Sequence, residues 1–137
     1  MPISKVGVKI GELDEFASNN VSFSMNTHRD STGMPILQNL QTAIVIQVDM
    51  YDQTNMPFKT IKGLFELAKL PSGSNIKEVE IHFWSDDAGK DVICNYHFKG
   101  WITRYETYTA PGSNGILSLE LCPVINQKTG ANVDISK

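Results

Sequence analysis

Residues 21–50 read VSFSMNTHRDSTGMPILQNLQTAIVIQVDM, and here two strand patterns are separated by something too long to be a turn. Val21, Phe23 and Met25 alternate with Ser22, Ser24 and Asn26, the period of a strand with one wet face; Ile44, Ile46 and Val48 repeat that period. Hairpin loops usually hold about two to five residues. The connection from Arg29 to Gln41 is far longer and carries Met34, Ile36, Leu37 and Leu40, apolar side chains that a solvated loop has no reason to hold. Either it folds back over its own sheet or it is buried against another molecule.

Most of the surrounding chain also reads as strand. Val6, Val8 and Ile10 alternate before GELDE, whose Gly11 and acidic residues suit a turn. Val79, Ile81 and Phe83 alternate up to Trp84, SDDAGKD supplies a turn around Gly89, and Cys94, Tyr96 and Phe98 return as the second arm of a hairpin. Trp101, Thr103 and Tyr105 follow on one side, and Leu117, Leu119 and Leu121 close the series after APGSNG. Only NMPFKTIKGLFELAKLP changes period: Phe58, Ile61, Leu64, Phe65 and Ala68 fall at spacings of three and four. Asn55 suits the N-cap, Pro57 the first turn, and Pro71 and Gly73 the stop, while Gly63 inside the helix weakens it by about 1 kcal/mol unless close packing on a sheet requires the missing side chain. The polar tail NQKTGANVDISK reads as loose. The expected fold is mainly β: an antiparallel β-barrel with one packed α-helix and an extended loop between the second and third strands.

A chain of 137 residues, 41% hydrophobic and 20% charged, forms one domain over residues 1–137 with a core of its own. Its net charge of -3 gives no basic footprint for nucleic acid. MPISKVGVKIGELDEF has no apolar core of signal-peptide length, and no window approaches the roughly 18 to 20 apolar residues of a membrane span, so the expectation is a protein folded in the cytoplasm with no membrane insertion. The two cysteines, Cys94 and Cys122, lie in apolar strand-like runs and read as free buried thiols.

Chemistry finds little support. Cys94 and His97 are an odd number apart on one strand, which sends them to opposite faces and removes a thiol–imidazole pair. His82 and His97 lack metal-ligand spacing, and SDDAGKD lacks the alternating oxygen ligands and closing Glu of a calcium loop. No catalytic residue, cofactor site or metal site is expected. A second class of function stays open: a monomeric β-barrel ligand- or glycan-binding module, using Trp84, Trp101, Tyr105 and Tyr108 as an aromatic platform.

The 21–50 stretch also resembles the signature of the Hcp (TssD) family, the tube protein of type VI secretion systems, in its short Bacteroidetes-like form. Ser22, Phe23 and Ser24 match the family's Ser-aromatic-Ser strand; Asp30, Thr32, Gly33 and Pro35 match its loop; Ile44, Ile46 and Val48 match the next strand. Met34 stands where the family commonly has arginine, and Leu40 and Gln41 where a glycine pair often stands. Looser likeness runs through the helix, the strand at Ile81 to Trp84, FKGWITRYE and LSLELCPVI, covering almost the whole chain. The resemblance implies a barrel-like protomer that assembles into homo-hexameric rings, stacked as the tube of a type VI or related contractile injection apparatus. It implies partners among the sheath, spike and effector proteins, and passage out of the cell through the apparatus. It also implies that the extended loop, Arg29, Asp30, Thr32, Gly33, Met34, Pro35, Ile36, Leu37 and Leu40, packs against a neighbouring subunit.

Overall fold

The computed structural model describes residues 3–26, 31–34, 41–52, 54–69, 75–86, 88, 90–112, 115–126, 130–131 and 133–136. In chain order the elements are β1 (Lys5–Ile10), β2 (Phe16–Ala17), β3 (Asn20–Asn26), β4 (Gln41–Asp49), α1 (Phe58–Lys69), β5 (Lys77–Trp84), β6 (Val92–Tyr108), β7 (Ile116–Pro123), β8 (Ile125–Asn126), β9 (Gly130–Ala131) and β10 (Val133–Ser136).

The core starts from β4 and β7, whose alternating patterns meet in register. Ile44, Ile46 and Val48 lie opposite Leu121, Leu119 and Leu117, and all of them are fully buried, because a period of two puts each set on one face. Val8 and Ile10 of β1, Val79 and Ile81 of β5, and Phe98 and Ile102 of β6 complete the same interior.

The strands pair antiparallel in the order β2-β1-β5-β6-β7-β4-β3, an eight-stranded sheet once β10 is added beside β6. The ladder is barrel-like but open, and the chain itself bridges its two ends. Ser18 N donates to Val6 O at 2.8 Å on β1, and the next residue, Asn19, donates from N to Gln47 O at 2.8 Å on β4. What the sequence shows as one strand before the extended loop is therefore preceded by a short β2, and the pair of them switches partner at Ser18.

β6, 17 residues long, serves three neighbours. Its first half pairs with β5 on one side and β10 on the other, and its second half pairs with β7. Gly100 sits at the handover, where a Cβ would lie 2.5 Å from Cys122 O, so the two backbones approach too closely for any side chain. Three residues later a register shift between Ile102 and Arg104 leaves Thr103 unopposed. Ile102 and Tyr105 therefore both face buried leucines, Leu121 and Leu119, while Trp101 faces outward beside Cys122. The expected single face of Trp101, Thr103 and Tyr105 is broken by that bulge.

α1 forms where the helical period predicts it, but its cap and its buried stripe differ from expectation. Asp52 organises the approach, its Oδ1 accepting from Thr54 N and Asn55 N at 3.2 Å each. The first helical bonds, from Thr60 N and Ile61 N, end on Pro57 O, so Pro57 holds the cap position. Asn55 instead clamps β2: Ala17 N donates to its Oδ1 at 2.6 Å and its Nδ2 donates to Ala17 O at 2.7 Å. Thr60 and Leu64 are buried and Ile61, Leu67 and Ala68 partly so, while Phe58 points into solvent. The stripe is turned because the helix leans on Leu13 of the β1–β2 turn, with Gly63 directly against that side chain, so the missing Cβ answers to a turn residue rather than to the sheet. Phe65 meets Tyr105 edge-on at 5.6 Å. The expected stop at Pro71 and Gly73 lies outside the described residues.

The tail is held rather than loose. β8 and β9 pair with each other, and Val133–Ser136 lie antiparallel along Phe98 to Asn95 of β6. Among the described residues no helix is long and apolar enough to cross a membrane.

Candidate functional site

The β3–β4 hairpin gives the domain two distinct ends. Asn26 pairs with Gln41 at one end, and the chain between them is the extended connection. Of its expected interface residues, Thr32, Gly33 and Met34 are described; Arg29, Asp30, Pro35, Ile36, Leu37 and Leu40 lie outside the described residues. Gly33 has φ +86°, a left-handed conformation that accounts for glycine there, and a Cβ would meet nothing within 4 Å. Met34 is 62% exposed, and Met25, on the last turn of β3's alternation, is exposed too.

At the other end Asp49 pairs with Ile116, and the chain turns towards α1. There Met50, Tyr51, Met56, Pro57, Phe58 and Ile61 line a groove of about 600 Å3. Its floor is built into the core, since Met56 is almost fully buried, but its walls are open: Tyr51 is 60% and Phe58 75% exposed. Tyr51 also lies against Gly115, where a Cβ would come within 3.1 Å of the phenol ring. Beside it Tyr108 and Ile116, cross-strand partners on β6 and β7, are exposed as well. A domain with a filled interior thus carries an apolar groove with no charged side chain in its lining. No strand or helix period marks this surface in the sequence. Its signal was present in MYDQTNMPF, an apolar-rich link of the same kind as the 29–41 connection.

The polar chemistry of the chain is structural in arrangement. Cys94 shares the inward side with Tyr96 and Phe98, and His97 lies on the opposite face, so thiol and imidazole do not meet. Both cysteines are free and half-buried, less enclosed than the sequence reading expected. Burial, and then the Glu120 carboxylate, push the Cys122 thiol up from its ordinary range. His82 is anchored on the outer face, Nδ1 at 2.6 Å from Asn95 Oδ1 and Nε2 at 3.3 Å from Glu80 Oε2. Its ring stacks on Trp84 at 5.5 Å. The indole in turn lies over Gly7, where a Cβ would clash with it at 2.6 Å, and Lys5 Nζ sits 5.2 Å from the ring centroid. No group of His, Cys, Asp or Glu among the described residues is arranged to hold a metal ion.

The aromatic platform does not assemble. Trp84 is 8% exposed on the outer face, Tyr105 faces inward against Leu119, and Tyr108 stands at the far end of β6. Among the described residues Trp101 therefore has none of the other three beside it.

An open antiparallel barrel with one helix leaning on its side, and with apolar surface at both ends, defines the class: the fold is Hcp-like. No family model and no curated protein sequence matches the chain. Solved structures do. The tube-terminating cap of the anti-feeding prophage is 18% identical, covering 100% of this chain and 92% of its own, with a TM-score of 0.61. A crystallised Hcp protein is 13% identical over 98% of this chain and 99% of its own, with a TM-score of 0.64. Hcp1 from Flavobacterium johnsoniae is 16% identical over 97% and 95%, with a TM-score of 0.59. These likenesses span nearly the whole chain and establish a fold shared with Hcp proteins, with a type six secretion system protein and with the prophage tube cap.

Proposed function

We infer that this chain is a structural subunit of the inner tube of a type VI secretion or related contractile injection apparatus, assembling into hexameric rings that stack and carry effectors. The observation that carries this reading is the apolar surface around Tyr51 and Phe58, left open on a domain whose core is already complete. Such a surface is costly on a monomer and useful on a repeating one. β3 supports a lateral contact: it ends the strand order, is 7 residues long, and has no charged side chain to discourage pairing with another chain. Sheath and spike proteins of the same machine, and the effectors it delivers, are the partners this role requires. The chain works by assembly, without a catalytic step, and leaves the cytoplasm through the apparatus itself.

Native mass spectrometry of the purified protein tests the reading. The expected mass is that of six chains, persisting on dilution. Monomers at every concentration would overturn it and return the monomeric binding module to first place.

A further inference from the structure

β10 is held by less than the other strands of its sheet. It pairs Val133, Asp134, Ile135 and Ser136 with Phe98, His97, Tyr96 and Asn95 of β6. Val133 and Ile135 stand opposite the inward Phe98 and Tyr96, yet Val133 is only partly buried and Ile135 is 66% exposed. Backbone hydrogen bonds therefore do most of the holding, and any extended chain can supply those. The edge beneath β10 is also longer than β10. On that side of β6, β7 begins at Gly100 and β10 ends opposite Asn95, and among the described residues no strand pairs with Val92, Ile93 and Cys94 there. The inner side chains along this edge suit an apolar cover. Cys94 is half-buried, Tyr96 meets Phe23 at 5.1 Å and Phe83 at 5.5 Å between ring centres, and Phe98 is buried.

We propose that β10 is a placeholder on a peptide-binding edge, and that an extended segment of another protein displaces it and joins the sheet along residues 92–98 of β6. The segment is an antiparallel strand of period two. It lays apolar residues against Cys94, Tyr96 and Phe98, and sets hydroxyl or carboxylate side chains beside Asn95 and His97, where β10 itself places Ser136 and Asp134. Such a segment outcompetes β10 because it also pairs with the three residues that β10 leaves uncovered. A tail exchanged from a second copy has no such advantage, since it brings the same 4 residues. The proposal goes beyond the tube reading and uses none of the surface around Tyr51 and Phe58.

The test uses the full chain and a fluorescent synthetic peptide, Val-Asp-Ile-Ser as in β10 continued by Val-Ser-Val. A chain carrying Asp134→Pro and Ile135→Pro weakens β10 alone: consecutive N–H groups of a strand point to opposite edges, so one of the two prolines removes a bond to β6. By fluorescence anisotropy the peptide should bind this variant about tenfold more tightly than the unaltered chain, whose edge is open only part of the time. The four-residue peptide should bind the variant about tenfold more weakly than the longer one, for want of the extra pairs. A peptide of the same composition with its apolar residues moved one position out of phase should not bind. Bound peptide should slow hydrogen exchange within residues 92–94. Equal affinity for both chains, no binding to the variant, or protection that misses residues 92–94 overturns the proposal. If the variant fails to fold, exchange in the unaltered chain decides: amides of β10 should exchange about a hundredfold faster than that of Leu119, and equal protection overturns the proposal because the strand is then not displaceable. Residues 92–94 already protected in peptide-free protein make a neighbouring copy the occupant and overturn it too.

Discussion

The inner face of β4 and the link that follows it are equally apolar, and the chain treats them in opposite ways. Ile44, Ile46 and Val48 are sealed against Leu121, Leu119 and Leu117. Tyr51 and Phe58, a few residues further on, are left largely in solvent. What separates them is the end of the ladder. Up to Asp49 a paired strand lies opposite each side chain, and past it there is only the turn set by Asp52. Composition therefore decides that a side chain will be buried somewhere, and the extent of the pairing decides whether its own chain does the burying.

Substitutions at the two regions should separate stability from assembly. Leu119→Ala removes a fully enclosed side chain and should lose about 2 to 5 kcal/mol of unfolding free energy by denaturant titration. A loss under about 1 kcal/mol would mean that the β4–β7 interior collapses freely around the gap. Gly100→Ala, which drives a Cβ into Cys122 O, should cost about 1 to 3 kcal/mol because the atoms it meets are backbone and cannot swing aside. An unchanged melting temperature there would show that β6 and β7 can separate at the handover. Asn55→Ala removes both bonds to Ala17 and should cost about 1 to 2 kcal/mol, read as faster hydrogen exchange at Ala17 with Leu119 still protected. Phe58→Ser should change folding stability by less than about 0.5 kcal/mol, since the ring is mostly in water. A large loss in the monomer would place Phe58 in the core after all. The smallest effect concerns Cys122: its raised pKa leaves less thiolate at neutral pH, so alkylation should be slower than for an ordinary free thiol and should accelerate as the pH rises. Reaction as fast as a small-molecule thiol would remove the burial effect.

Much of this fold is legible in the sequence because its inner residues obey a strict period of two. Val79 and Ile81, Ile44 to Val48 and Leu117 to Leu121 all fall where the alternation puts them. The failures share a physical cause: each needs knowledge of a partner distant in sequence. Nothing local tells Asn55 that β2 will lie beside it, so it reads as a cap. The bulge at Thr103 answers to β7 and inverts the alternation after it. The tail is polar, and polarity hides that Val133 to Ser136 pair along β6, with Val133 partly buried. The helix stripe is astray at Phe58 and Phe65, both left exposed, because Leu13, 45 positions before Phe58, sets the angle at which α1 lies. The extended loop was found by its length, and the groove was missed because a short apolar link between two elements excites less notice.

The crossing at Ser18 and Asn19 has a consequence for the order in which the molecule comes together. β1 has no full-length partner until β5, about seventy positions later, has left the ribosome, and β3 must wait for β4. The closing step therefore belongs to the earliest segment made, which has to remain available while the hairpins of β5, β6 and β7 form among near neighbours. ASNNVSFSMN suits that interval: its asparagines and serines keep the segment hydrated and its apolar residues are never adjacent. Pulse-labelled hydrogen exchange during refolding should show amides of β6 and β7 protected before those of Ser18 and Asn19. Simultaneous protection would mean that the two ends of the sheet find each other before its middle is built.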